Sequence, residues 1–282
     1  MSLDGISSDD RFAILALDHR DSLRAFLRPD DPGSVERDEI VRLKAELISR
    51  VAQFATGVML EPEYSIPDLV GSLPDGVGFT AALESQGYLG DPGAVPTTVL
   101  DGWSVEQAAA SGASVAKLLL PFMPEHRLAE AQHQVAADVL AECRRVGIPL
   151  VLEPLFFGLA DPADRPGVVI ETTRRFAALG PDLLKLPFPV DVSHDTNSAT
   201  WRDRCAQITE LCPMPWALLS GGGPFDAFVA QVEAAVEGGC SGFLVGRALW
   251  GEAVLAPADQ RSHLIESQVI PRFQHLRSVV GI

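Results

Sequence analysis

The sequence predicts a (β/α)8 barrel, and three observations point there. Eight short apolar runs alternate with eight segments of helical pattern along 282 residues, close to the ~250 typical of such a barrel. The runs are apolar almost throughout, as expected for parallel strands covered on both faces. The one glycine-rich turn, Ser220 to Gly223, follows the seventh run. A doubly wound open sheet, the runner-up, would place such a turn after the first strand if it bound a dinucleotide.

In chain order, the strand candidates are residues 12–18, 56–63, 77–83, 114–120, 148–154, 182–188, 215–221 and 242–247. Helix candidates lie near 35–53, 65–72, 104–111, 125–146, 167–179, 198–211, 224–237 and 258–279. Several strands follow helix-ending glycines at Gly112, Gly147, Gly180 and Gly238-Gly239, which free the chain to leave the helix. With no long linker or low-complexity segment, residues 1–282 are expected to form a single barrel domain.

Composition narrows the partners. Net charge is −16, with 38 acidic and 22 basic residues, so neither nucleic acid nor an anionic membrane is expected. No apolar run reaches the ~18 residues of a membrane span. The N-terminal stretch "MSLDGISSDDRFAIL" lacks the apolar core of a secretory signal. Cys143, Cys205, Cys212 and Cys240 form no CxxC pair, which suggests reduced cytoplasmic thiols that pack. The six histidines are scattered, so neither a metal site nor a cofactor is expected. A homo-oligomer is compatible with all of this; the sequence does not set the number of subunits.

The basic residues are unevenly chosen. Nineteen are arginines and three are lysines: Lys44, Lys117 and Lys185. Lys44 lies in a polar, helix-like segment. Lys117 in "SVAKLLLP" and Lys185 in "PDLLKLPF" sit inside apolar runs, where a charge is costly unless paired or neutralised. Arginine stays protonated at any working pH, whereas a desolvated lysine can become a nucleophilic amine. The plainer alternative is a barrel-interior lysine salt-bridged to a carboxylate.

Active sites of such barrels form at the C-terminal strand ends. The polar residues expected there are Asp18, His19 and Arg20 after strand 1, Glu61 and Glu63 at strand 2, and Glu84 after strand 3. Strands 4, 5 and 6 bring Lys117, Glu153 and Lys185. Strand 7 runs into Ser220, Gly221 and Gly222, and strand 8 into Gly246 and Arg247. Free backbone amides of the glycine turn, with Arg247 beside them, suit a phosphate. A lysine amine, a carboxylate and a phosphate cradle together suggest Schiff-base chemistry on a ketose phosphate, the metal-free aldolase scheme.

The residues also carry a family likeness, in "ILALDHRDSLR" (14–24), "VMLEPEYS" (58–65), "LESQGY" (83–88), "WSVEQAAASGASVAKLLL" (103–120), "IPLVLEPL" (148–155), "LLKLPFPV" (183–190) and "LLSGGGPFDAFVAQVEAAVEGGCSGFLVGRALWGEAV" (218–254). The chain resembles the tagatose 1,6-bisphosphate aldolase family, which also includes the sulfofructose-phosphate aldolases. The resemblance implies a class I aldolase that cleaves a phosphorylated ketose into dihydroxyacetone phosphate and an aldehyde. It implies Lys185 as the Schiff-base lysine, Glu153 as acid/base, Lys117 and Asp18 beside them, and Ser220 to Gly222 with Gly246-Arg247 on the phosphate. On that scheme the Lys117 charge disfavours a second ammonium at Lys185. Two departures stand out: His19 where many relatives have glutamine, and the third glycine of "SGGG". The chain is also shorter than the tagatose-type enzymes. A transaldolase using the same lysine, and a sugar-phosphate sensor without turnover, are the alternatives; a metal-dependent aldolase lacks its histidine cluster.

Overall fold

In the computed structural model, which describes residues 1–85 and 93–282, eight parallel strands close into a barrel in chain order, so each pairs with its sequence neighbours and β1 with β8. They are β1 Phe12–Ala16, β2 Gly57–Leu60, β3 Phe79–Ala82, β4 Val115–Pro121, β5 Leu150–Leu155, β6 Leu183–Leu186, β7 Trp216–Leu219 and β8 Gly242–Val245. Residues 86–88 of the "LESQGY" segment lie outside the described residues.

The helices are α1 Asp21–Leu27, α2 Arg37–Val51, α3 Ile66–Leu69, α4 Val105–Ala110, α5 Ala129–Val146, α6 Arg165–Ala177, α7 Ser198–Leu211, α8 Phe225–Glu237, α9 Arg247–Leu255, α10 Ala258–Leu264 and α11 Ile270–Val280. A short π-type turn, Ile265–Val269, joins the last two. Each long helix has an apolar stripe at three- and four-residue spacing that packs on the barrel. In α5 the stripe is Ala129, Ala136, Val139, Leu140 and Cys143, and the helix stops at Gly147, whose φ of +86° a side chain would resist.

Strand alternation divides the core in two. One set of side chains, among them Ile14, Val115, Val151, Leu183, Ala217 and Leu244, fills the barrel's interior. The opposite parity, such as Leu152, Leu184, Leu218 and Phe243, packs against the helices. The candidate site residues continue the inward parity: Lys117 is two residues beyond Val115, Glu153 two beyond Val151, and Lys185 two beyond Leu183. Val151 pairs with Leu183 in register, so Glu153 and Lys185 stand side by side one layer higher.

Three expectations change. Strand 8 ends at Val245, and Arg247 opens α9 rather than ending a strand. The segment "RALWGEAVL" is apolar on nearly all sides because α9 is buried between barrel and outer helices, so it shows no amphipathic stripe. Lys44 is not a surface residue: all three lysines are buried, at 1%, 1% and 6% exposure for Lys44, Lys117 and Lys185.

Candidate active site

A cavity of about 560 Å³ opens at the C-terminal ends of the strands. Asp18, His19, Glu84, Lys117, Glu153, Lys185, Ser220, Gly221, Gly222, Gly246 and Arg247 all line it. Residues separated by up to 229 positions thus meet because their strands share one end.

Its floor is a chain of buried charges. Lys117 Nζ lies 2.8 Å from Asp18 Oδ2, 2.6 Å from Glu84 Oε1 and 3.3 Å from Glu153 Oε2. Glu84 is fixed in turn, because its other oxygen accepts the Leu119 amide at 3.1 Å. Burial alone would discharge Lys117, yet Asp18, Glu84 and Glu153 together hold its pKa well above the ordinary lysine value. Burial would likewise raise the Asp18 carboxyl; attraction to Lys117, then Lys185 and His19, outweighs it and keeps the group far below the usual carboxylate range. The Lys117 charge is therefore largely spent on its own carboxylates, and the repulsion expected between the two lysines is correspondingly shielded.

Lys185 is placed differently. Among the described residues its Nζ meets a single carboxylate, Glu153 Oε1 at 2.9 Å, and touches the Met59 sulfur at 3.6 Å. Among the described residues Glu153 Oε2 has no hydrogen-bond partner, so that oxygen is available to a ligand while ion-paired to Lys117.

The glycine turn expected to hold an anion stands at the rim. Gly221 and Gly222 adopt φ of +60° and +78°, which glycine alone takes without strain. Their amides have no acceptor among the described residues. The Arg247 guanidinium lies over Gly222, within 3.6 Å of where a Cβ would sit, and over the Phe26 ring at 5.8 Å. Its buried Nε has no hydrogen-bond partner among the described residues. The Ser220 hydroxyl accepts the Gly246 amide at 3.4 Å, tying the two loops together.

His19 forms part of the same wall, edge-on to Trp250 at 5.4 Å. Burial lowers its pKa to about 3, aided by the Arg247, Lys185 and Lys44 charges and opposed by Asp18. The ring is therefore neutral in working conditions. It also explains Gly246, where a Cβ would meet the imidazole at 2.7 Å.

Three candidates do not line the cavity. Glu61, fully buried, turns away to pair with Lys44 Nζ at 2.5 Å and to accept the Glu63 and Tyr64 amides. Arg20, fully buried, donates to the Glu84 carbonyl at 2.5 Å. Glu63 sits 3.6 Å from Arg20 on the outer side. These groups brace the loops after β1, β2 and β3. Conversely, the cavity includes Ser22, Phe156, Phe157 and Arg165, none of which the sequence singled out. A phenylalanine pair beyond the inward-facing Glu153 and Leu155 was a readable hint; Arg165, in the polar turn "ADPADRPG", gave none.

Lysines and carboxylates gathered at the C-terminal mouth of an eight-stranded parallel barrel define a (β/α)8 enzyme. The chain belongs to the DeoC/LacD family of aldolases, whose family model matches residues 12–252, and it is accordingly an aldolase, a carbon–carbon lyase. It is 26% identical over 266 residues to a tagatose 1,6-diphosphate aldolase of Listeria monocytogenes, covering 86% of this chain and 78% of that one. A tagatose 1,6-diphosphate aldolase of Streptococcus pyogenes is 27% identical over 277 residues, covering 90% and 84%. Among solved structures, an archaeal fructose 1,6-bisphosphate aldolase superposes with a TM-score of 0.66 at 20% identity, covering 98% and 96%. Another archaeal fructose-1,6-bisphosphate aldolase, with its catalytic lysine bound to a carbinolamine intermediate, gives 0.64 at 19% identity and the same coverage. These two likenesses establish the barrel. Among the described residues, no helix is long and apolar enough to cross a membrane.

Proposed function

We propose that the chain is a class I aldolase that cleaves a ketose 1-phosphate into dihydroxyacetone phosphate and an aldehyde, with Lys185 as the Schiff-base lysine. The observation that carries this reading is the contrast between the lysines: Lys117 is locked as an ammonium by three carboxylates, whereas among the described residues Lys185 pairs with Glu153 alone, at 2.9 Å. The names of the curated relatives support a phosphorylated ketose as the substrate class. The four cysteines are free, in keeping with a cytoplasmic setting.

Glu153 accepts a proton from Lys185, and the amine attacks the ketone at C2. Glu153 returns the proton to the carbinolamine hydroxyl, which leaves as water and gives the iminium. The same carboxylate then takes the proton of the C4 hydroxyl. The C3–C4 bond breaks, its electron pair moves into the iminium, and the aldehyde departs. Protonation of the enamine at C3 and hydrolysis release dihydroxyacetone phosphate and restore Lys185. Lys117 keeps Glu153 oriented through its other oxygen, and the Gly221 and Gly222 amides with Arg247 hold the phosphate.

Dihydroxyacetone phosphate with borohydride tests this reading. One adduct, mapped to Lys185 by peptide mass, is expected. An adduct on Lys117, or none, overturns the assignment.

A further inference from the structure

Lys185 reaches across the barrel. It rises from β6, and its Nζ touches the sulfur of Met59 on β2 at 3.6 Å. These strands are opposite walls of the closed sheet. Small residues leave room for the crossing: Ala217 pairs with Lys185 on β7, and Ala16 pairs with Met59 on β1. Lys185 lines the cavity and Met59 does not; Met59 is fully buried among interior residues such as Ile14, Val115 and Leu183. The amine therefore sits on the boundary between the cavity and an apolar interior, with the thioether on the interior side. The titratable and charged groups that share its cavity are Asp18 and His19 after β1, Glu84 after β3, Lys117 on β4, Glu153 on β5, Arg165 on α6 and Arg247 on α9. Among the described residues the β2 wall adds no charge to this set, because Glu61, just past the strand, turns away to Lys44.

We infer that Met59 is a positioning residue for Lys185: its thioether seats the amine at the cavity floor without competing with Glu153 for the proton. The inference rests on the aldolase reading above. A thioether is a weak acceptor, whereas a carbonyl or hydroxyl oxygen is a strong one. The sulfur therefore closes the space beneath the nitrogen by contact and stabilises the ammonium little. Glu153 remains the one strong acceptor in contact with Nζ among the described residues. A proton that leaves Lys185 then goes to the group that must return it to the carbinolamine. An oxygen in the place of the sulfur would add a hydrogen bond to the charged form and hold the lysine as an ammonium. A shorter apolar residue would leave a void under the amine. Methionine is long and unbranched enough to reach the barrel axis from β2 and adaptable enough to pack there.

The test compares the parent with Met59→Leu and Met59→Gln. Each protein is incubated with dihydroxyacetone phosphate and cyanoborohydride between pH 6 and pH 10, and the rate of adduct formation on Lys185 is followed by mass. Leucine keeps the volume without an acceptor, so its rate profile is expected to keep the parent's pH midpoint. Glutamine supplies an oxygen beneath the amine. Its midpoint is expected to move up by roughly one to two pH units, the worth of one hydrogen bond to a charged group, and its rate to approach the parent's at high pH. Met59→Asn, smaller and free of overpacking, takes its place if the glutamine protein does not fold. A methionine that only filled the core would give less folded protein at every pH and an unmoved midpoint. A glutamine or asparagine protein with the parent's midpoint therefore overturns the inference, as does a leucine protein whose midpoint rises as far as glutamine's. The parent separates this failure from failure of the aldolase reading. A parent adduct on Lys185 beside unshifted variants removes only the role of Met59. No adduct in the parent removes both.

Discussion

Glu153 joins the two buried lysines, with Oε1 2.9 Å from Lys185 Nζ and Oε2 3.3 Å from Lys117 Nζ. One carboxylate thus faces the proposed nucleophile while its other oxygen is held by a permanent ammonium. That arrangement separates proton transfer from orientation, and each can be removed alone.

Glu153→Gln keeps the side chain's shape and removes its proton-carrying capacity. Turnover is expected to fall by roughly 10²–10⁴, the usual worth of one general acid/base. The borohydride adduct on Lys185 should form more slowly yet remain detectable by intact mass. Turnover close to the parent's would mean that another group moves the protons, and Glu84, at 2.6 Å from Lys117 in the same cavity, would be examined next.

Lys117→Met leaves Asp18, Glu84 and Glu153 without their shared cation. Removing one partner of a buried ion pair costs ~3–5 kcal/mol, and urea unfolding at pH 7 should show a loss of that order. The gap between parent and variant should close in acid. The Asp18 carboxyl lies lower in the folded protein than its ordinary value of 3.8, so its stabilisation is complete above that value and is lost as pH falls through the lower folded one. A gap that stays constant down to pH 2 would show that the loss comes from packing rather than from charge.

The barrel was legible because its strands are apolar on both faces and end in polar residues; the inward parity alone brings Lys117, Glu153 and Lys185 together. What escaped the sequence depended on distant partners. Lys44 falls on the buried stripe of α2 with Ile40, Leu43, Leu47 and Ile48. That spacing was available to read, but the charge masked it until Glu61 appeared as its partner. Arg165 opens α6 straight after a polar stretch, and only the folded chain brings Phe156 beneath it and the Phe188 carbonyl beside it. Glu61 continues the strand 2 alternation in sequence, yet the chain turns after Leu60 and sends it outward to Lys44.

His19→Gln tests the neutral imidazole. Its pKa is about 3 in the folded protein against an ordinary 6.5, so between these values the unfolded chain binds the extra proton. Stability should therefore rise with pH across that window and fall on acidification, by at most ~1.4 kcal/mol per pH unit from this group. Glutamine has no such proton. Urea midpoints taken from pH 7 to pH 4 should decline more steeply for the parent than for the variant. Parallel curves would show that His19 titrates alike in both states.

Arg247→Ala tests the anion cradle and, with it, the pairing of the last two strands. The guanidinium reaches the proposed phosphate site because β7 and β8 are neighbours and because Gly222 presents no side chain beneath it. An arginine–phosphate contact combines charge with fork geometry. The variant's kcat/KM on a ketose 1-phosphate should fall by roughly 10- to 200-fold, the equivalent of ~1.5–3 kcal/mol for a charged hydrogen bond. The informative quantity is the preference for a phosphorylated over an unphosphorylated ketone. The parent should discriminate strongly, and the variant should lose most of that discrimination. Gly222→Ala should move in the same direction without removing any charge, because φ of +78° strains a side chain. Equal losses on both ketones in the Arg247 variant would assign the residue to the α9 packing against Phe26, and the glycine turn would then need another ligand.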